Sequence, residues 1–283
     1  MLGSPCWTSG GGCIDKPIIR VTSLSTWQEC RYKYHLNTSG LWLRLGDSSG
    51  LSPQLSGTAI HFGIEAGLLA APGRNKVSVA TEAANTYLDR LGGDRYRQGV
   101  YTAIQGVPPE VWETVNPQSE QRYSVEYDTF ILTGKPDLWT YSEDAIVITD
   151  FKSTSKDEQD RLQKLQLFNM QPRYYGVLLI AWLVSQGREP PPVYTRHLVL
   201  STRGKHVYGV PQLLSEWGWR QAQDMMLRIG REIAASEKTS FLDATVSGSC
   251  TWCEFQDLCV GHLTGADTDS IIEERYRKDV QSM

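Results

Sequence analysis

The chain has 283 residues, 40% of them hydrophobic and 21% charged, which suits a globular protein with a substantial core. Its formal net charge of −4 argues against an indiscriminate nucleic-acid coat and leaves room for a local basic groove. The longest apolar run, Gly176 to Val184, is too short for the roughly 18 residues that a bilayer span needs, so no membrane partner is expected.

In chain order, the Gly/Ser-rich leader over residues 1–17 lacks a basic segment before an apolar stretch. It therefore reads as a disordered leader of a cytoplasmic protein rather than a secretory signal. Thr22 and Ser23 can cap a helix reaching about Leu36. That helix carries Cys30 and the basic, aromatic run Arg31-Tyr32-Lys33-Tyr34. A loop over Gly46 to Ser56 precedes a helix from Gly57 to about Leu69, and another is expected over residues 78–91. Alternation and β-branched or aromatic content then predict strands over Arg122–Leu132, Gly134–Tyr141 and Ala145–Phe151. Helices are predicted over 156–168 and 171–186, and strands over Tyr194–Leu200 and Val207–Val210, joined by the Arg203-Gly204-Lys205 turn. A long helix from about Pro211 to Ala235 leads to a cysteine-rich end.

These elements predict an α/β fold in one domain over residues 18–265. It would comprise a helical N-terminal lobe (22–117), a core (120–210), a C-terminal helix with the cysteines (211–262), and then a tail over 266–283.

The chemistry concentrates in Gly134-Lys135-Pro136-Asp137 and Asp150-Phe151-Lys152. Neighbouring strands can bring both carboxylates to one sheet edge, and hard cations such as Mg²⁺ bind through one or two carboxylates plus water and phosphate. Lys152 shares a strand face with Asp150, where its ammonium could orient water or stabilise a charged phosphate. An isolated D-x-K is more often a surface ion pair; here it closes the apolar run Ala145-Ile146-Val147-Ile148, one strand after the first carboxylate.

Gly57-Thr58-Ala59-Ile60-His61 adds an imidazole, with Glu65 one turn on, and a nitrogen ligand would admit Mn²⁺ beside Mg²⁺. Gln171-Pro172-Arg173-Tyr174-Tyr175 opens a helix with Gln171 and Tyr175 on one face, facing either substrate or the core. Cys250, Cys253 and Cys259 form C-x2-C-x5-C, and Cys30 is the candidate fourth thiol. Four thiolates hold either [4Fe–4S] or Zn²⁺, and spacing alone does not separate them. Cys6 and Cys13 read as incidental.

In order, G-x-x-x-H, G-x-x-D, D-x-K and Q-x-x-x-Y resemble the RecB-like branch of the PD-(D/E)XK nucleases. That branch includes the CRISPR-associated RecB-like exonucleases and the nuclease domains of AddB-type helicase–nucleases. The resemblance spans about residues 21–260 and implies a restriction-endonuclease-like mixed sheet flanked by helices. It implies His61, Asp137, Asp150 and the Phe151 carbonyl as ligands of Mg²⁺ or Mn²⁺, and Lys152 as the catalytic lysine. Gln171 and Tyr175 would contact DNA. The distant cysteine with a C-terminal triplet resembles the [4Fe–4S] clamp of the same branch.

The implied activity is exonucleolytic hydrolysis of single-stranded DNA or DNA ends, with room for endonuclease activity on open structures; by their charge and rings, Arg31, Lys33, Tyr34, Lys156, Arg161, Arg173 and Arg203 are further candidate DNA contacts. The implied setting is recombination, repair or CRISPR spacer acquisition. No P-loop is present, so a helicase, like a recombinase or a CRISPR integrase, would be a separate partner. The rival readings are a non-catalytic DNA-binding subunit and a zinc-stabilised scaffold of the same fold.

Overall fold

The computed structural model describes residues 16–43, 53–119, 121–142, 144–155, 164, 168–236 and 244–278. The leader as far as residue 15, with Cys6 and Cys13, and most of the helix expected over 156–168, with Lys156 and Arg161, lie outside the described residues.

A short strand, β1 (Ile18–Arg20), runs straight into α1 (Val21–Glu29). The single helix expected as far as Leu36 is broken at Cys30, whose backbone is extended (φ −163°, ψ 119°), and α2 (Arg31–Thr38) starts beyond it. Cys30 Sγ accepts the Lys33 N–H at 3.4 Å, so the thiol caps α2 as a Ser or Asn side chain would. After β2 (Leu41–Leu43), the lobe is built from α3 (Pro53–Leu68), α4 (Lys76–Arg90) and α5 (Arg97–Gln105). A Cβ on Gly63 or Gly67 would lie 2.6 Å from the carbonyl of Ala80 or Lys76, so α3 and α4 meet backbone to backbone. Asn75 caps α4 through the Ser78 N–H.

A single turn, α6 (Pro109–Trp112), leads to β3 (Gln118–Ser119). Two expected strands are divided. Residues 122–132 form a hairpin of β4 (Tyr123–Glu126) and β5 (Ile131–Gly134), closed by the Tyr127 N–H on the Phe130 carbonyl. The strand expected over 134–141 splits because Pro136 has no N–H for a ladder. Gly134 ends β5, and β6 (Leu138–Tyr141) begins in a different sheet. The crossing Lys135-Pro136-Asp137 therefore sits on a sheet edge.

The remaining elements are β7 (Ile146–Thr154), α7 (Met170–Ser185), β8 (Val193–Ser201), β9 (His206–Tyr208), β10 (Gln212–Leu213) and α8 (Glu216–Ser236). The helix expected from Pro211 thus starts later, after a short edge strand. The main sheet has the order β10-β8-β7-β6-β3, with β9 also on β8; β7 and β8 are parallel and the other pairs antiparallel. A smaller sheet orders β1-β5-β4.

Alternation along β7 gives the main sheet two apolar faces. Ile146 and Ile148 join Tyr174, Leu178 and Met226 of α7 and α8, whereas Phe151, with Leu198 and Leu200 of β8, packs on α3, α4 and α5. Each such buried side chain contributes about 1.5–3 kcal/mol, so β7 is fixed from both sides.

Past α8, a 3₁₀ turn (Gly248–Trp252), α9 (Gln256–Thr264), α10 (Thr268–Arg275) and β11 (Tyr276–Lys278) follow. The residues expected as a tail are thus folded through Lys278, and β11 pairs antiparallel with β2. Leu36, Phe255, Leu258 and Tyr276 form a small core there.

Candidate active site and cysteine cavity

Three separate segments meet where β6 parts from β7. The β6–β7 ladder runs from Tyr141↔Ile146 to Leu138↔Thr149 and stops, because Asp137 leaves the strand. Asp137 then takes the place of the missing strand: its Oδ2 accepts the Phe151 N–H at 2.7 Å. Its Oδ1 lies 3.2 Å from His61 Nδ1, which α3 delivers from the lobe, and the His61 ring stands edge-on to Phe151 at 5.7 Å. Next along β7, Asp150 is buried at 1% exposure, with Lys152 Nζ 2.8 Å from its Oδ2 but off the line of a directed hydrogen bond. His61, Asp137, Asp150 and Lys152 are therefore brought together, and Phe151 links the two carboxylates through its backbone.

The electrostatics of the two carboxylates diverge. Burial would raise Asp137, but the His61 imidazole, Lys152 and the Phe151 N–H outweigh it and hold its carboxyl below the usual range. Asp150 is pushed up to about 6, chiefly by burial and further by the Asp137 charge, against the pull of Lys152. Burial lowers His61 and Lys152, yet the neighbouring carboxylates prevail and both are raised. Among the described residues Asp150 Oδ1 meets no donor at all. A buried carboxylate oxygen without a donor costs about 1–3 kcal/mol or more. A divalent cation is the group that would satisfy it, and an imidazole with two carboxylates is a donor set that suits Mg²⁺ or Mn²⁺.

Two residues of this neighbourhood escaped the sequence reading. His197 on β8 stands directly opposite Asp150 in the parallel register, is 3% exposed, and places Nε2 3.3 Å from Asp150 Oδ2. Asn169 caps α7 and brings Nδ2 to 3.1 Å from the same Nε2. A histidine inside the apolar run Tyr194-Thr195-Arg196-His197-Leu198-Val199-Leu200 was the available signal; pairing that run with the D-x-K strand would have singled it out.

The expected DNA contacts scatter. Gln171 is half-buried and gives its N–H to Asn169 Oδ1. Tyr175 is 5% exposed and packs against Gly134, so it faces the core. Pro172 is accommodated within the first turn of α7, where N–H groups have no intrahelical partner. Tyr34 is buried edge-on against Trp27, Arg31 stacks over Trp27 and pairs with Glu232, and Lys33 pairs with Glu29. Those three belong to the α1–α2 junction, and Tyr34 and Tyr175 are both buried. Arg173 is half-buried, and Arg203 is exposed on the β8–β9 turn.

Cys30, Cys250, Cys253 and Cys259 line one cavity of about 170 Å³, walled by Tyr32, Leu36, Val246, Phe255, Val260 and Leu263. All four thiols are free. Lys33 and Thr245 aim N–H groups at Cys30 Sγ, and Ser247 aims its N–H at Cys250 Sγ at 3.3 Å. Burial first, then the charges of Cys30, Cys250 and Cys253, push the Cys259 thiol up. Thiols held in one another's field in an apolar pocket, with amides directed at the sulfurs, suit a cationic group bound by four thiolates. Among the described residues, no three His, Cys, Asp or Glu side chains already stand in a closed metal-binding arrangement at either place.

A sequence profile of the PD-(D/E)XK nuclease superfamily matches residues 20–260. The chain belongs to the PD-(D/E)XK nuclease superfamily. The match takes in all four motifs, the carboxylate edge and the four clustered cysteines. Among solved structures, this PD-(D/E)XK chain is similar in fold to a candidate exonuclease from Eubacterium rectale, with TM-score 0.53 and 12% identity over 89% of this chain and 93% of that one. The protein SSO0001 aligns at TM-score 0.37 and 13% identity, over 72% of this chain and 96% of its own. No curated protein matches the sequence. Among the described residues no helix is long and apolar enough to cross a membrane.

Proposed function

We propose that this chain is a divalent-cation-dependent DNA exonuclease of the RecB-like type that acts on single strands or DNA ends and carries a [4Fe–4S] cluster. The observation that carries the reading is the meeting of His61, Asp137, Asp150 and Lys152 at the β6–β7 edge, with Asp150 Oδ1 buried and lacking a donor.

His61, Asp137 and Asp150 would hold Mg²⁺ or Mn²⁺, with the Phe151 carbonyl beside them. When bound, such a cation lowers the pKa of water and offsets phosphate charge. The chain's own part is to orient and to neutralise. Asp137, fixed by Phe151 and His61, and Asp150, fixed by β7, would supply oxygens to the cation. Lys152, on the solvent side of Asp150, is placed to steer the attacking water and to stabilise charge growing on the scissile phosphate. Among the described residues, Arg173, Gln171 and Arg203 are the candidate contacts for a strand, through phosphates rather than base edges, in keeping with sequence-independent digestion.

The four thiols fit a cluster as a clamp: Cys30 joins the α1–α2 junction to the C-terminal elements, and Tyr32 stacks on His262 at 4.8 Å across the same contact. A recombinase, helicase or CRISPR integrase would supply the DNA end.

The test is digestion of end-labelled single- and double-stranded DNA in Mg²⁺ or Mn²⁺, beside an absorption spectrum and iron analysis. Stepwise loss of end-label from the wild type, and none from Asp150→Ala, is the expected result. Persistent cleavage by Asp150→Ala, or no cleavage by the wild type, overturns the nuclease reading. A colourless, zinc-loaded protein overturns the cluster alone.

A further inference from the structure

The Asp150 carboxylate is asymmetric in its surroundings. Oδ2 lies between Lys152 Nζ at 2.8 Å, on the solvent side, and His197 Nε2 at 3.3 Å, on the inner side, while Oδ1 meets no donor among the described residues. Lys152 is a third exposed and can swing; His197 is 3% exposed and held in the sheet interior. The inner wall is thus the rigid one.

His197 is in turn set by Asn169. The Asn169 Oδ1 accepts the Gln171 N–H at 3.0 Å as the N-cap of α7, which turns its Nδ2 toward His197 Nε2 at 3.1 Å. The buried ring, set by Asn169, stands against Oδ2 and blocks rotation of the carboxylate.

We propose that Asn169 and His197 are positioning residues: they fix the orientation of the Asp150 carboxylate, so that Oδ1 is presented to the divalent cation. The same contact ties that orientation to the first turn of α7, which carries Gln171 and Arg173. A change of α7 on binding a strand would then be felt at the cation site. The proposal rests on the nuclease reading, and the wild type serves as the control for that reading.

The experiment measures Mn²⁺ affinity by calorimetry, alongside kcat and KM on a single-stranded oligonucleotide, for His197→Leu, His197→Gln and Asn169→Ala. Residues that orient metal ligands typically alter metal affinity or activity by about 10–100-fold. His197→Leu is expected to weaken Mn²⁺ binding by about that factor and to lower kcat more than it raises KM. His197→Gln, whose amide oxygen can accept from Asn169 at the Nε2 position, is expected to recover most of the affinity. Asn169→Ala, which releases the His197 ring from its hold, is expected to weaken Mn²⁺ binding although no ligand is touched. A merely structural role predicts lower melting temperatures with unchanged Mn²⁺ affinity, and that result overturns the proposal. If His197→Leu does not fold, Asn169→Ala and His197→Gln decide: wild-type Mn²⁺ affinity in Asn169→Ala sinks the proposal, as does a His197→Gln as defective as an apolar substitution would make it. A wild type that neither binds Mn²⁺ nor cleaves DNA defeats the nuclease reading instead.

Discussion

The catalytic edge and the cysteine cavity both collect side chains distant in sequence, but they are held in opposite ways. At the edge, every group is fixed by the fold itself: Asp137 by the Phe151 N–H, Asp150 by β7 and the His197 wall, and His61 by α3 packed backbone to backbone on α4. At the cavity, Cys30 caps a short helix, and the other three thiols lie on a 3₁₀ turn and the start of α9, around an apolar hollow with a small core of its own. On the proposed function, the first site is preorganised for an ion, whereas the second would depend on a group bound by its thiolates for cohesion. Removing the metal should therefore silence the edge and unfold the cavity.

The largest expected effect on activity falls on the edge. Lys152→Ala and Asp150→Ala should each cost at least about 10²–10³-fold in kcat, with melting temperature changed far less than activity, as read by single-turnover digestion. Residual activity within tenfold of wild type would break the comparison at its catalytic side.

At the cavity the order reverses. Cys30→Ala or Cys250→Ala should give colourless, poorly soluble protein. The binding free energy of a thiolate-held group becomes folding free energy, so a loss of about 5 kcal/mol or more is expected, roughly 10–20 °C in melting temperature. Scanning calorimetry with and without a strong iron chelator checks it; a well-folded, fully active variant would show the clamp to be dispensable.

A smaller effect sharpens the contrast. Asp150→Asn removes a buried charge whose Oδ1 lacks a donor among the described residues, and Lys152, a third exposed, can turn to solvent. In EDTA this variant should be more stable than wild type by about 1–2 kcal/mol while inactive, as expected where function holds strain in place. Denaturant melts decide, and a clear loss of stability would mean that Asp150 serves the fold.

The smallest effect is at Arg31. Its ion pair with Glu232 is largely exposed, so Arg31→Ala should shift stability by no more than about 1 kcal/mol and leave KM for DNA unchanged. A several-fold rise in KM would return Arg31 to the strand-binding surface.

Much of this was legible in the sequence because the decisive signals were local. The apolar run ending in Asp150-Phe151-Lys152 marks a central strand, and the G-x-x-x-H helix and the cysteine spacing need no tertiary knowledge. What was not legible arose from competition between segments. Cys30 sits in a run with helical character, and only the capping geometry of its Sγ reveals the break. The Tyr123–Gly134 stretch alternates throughout, so its turn is hidden by β-propensity, and Pro136 divides two sheets that a one-strand reading joins. Gln171 and Tyr175 share a helix face as expected, yet that face turns inward at Tyr175 because Gly134 leaves room for the ring. His197 depends on the β7–β8 register, which periodicity does not encode.

The central claim is that His61, Asp137 and Asp150 share one divalent cation. The most direct measurement is anomalous diffraction from a crystal of the full chain soaked in Mn²⁺. A manganese peak between the Asp137 and Asp150 carboxylates, within ligand distance of His61 and absent from Asp150→Asn, is the expected result. A peak elsewhere, or the same peak in the variant, would contradict it.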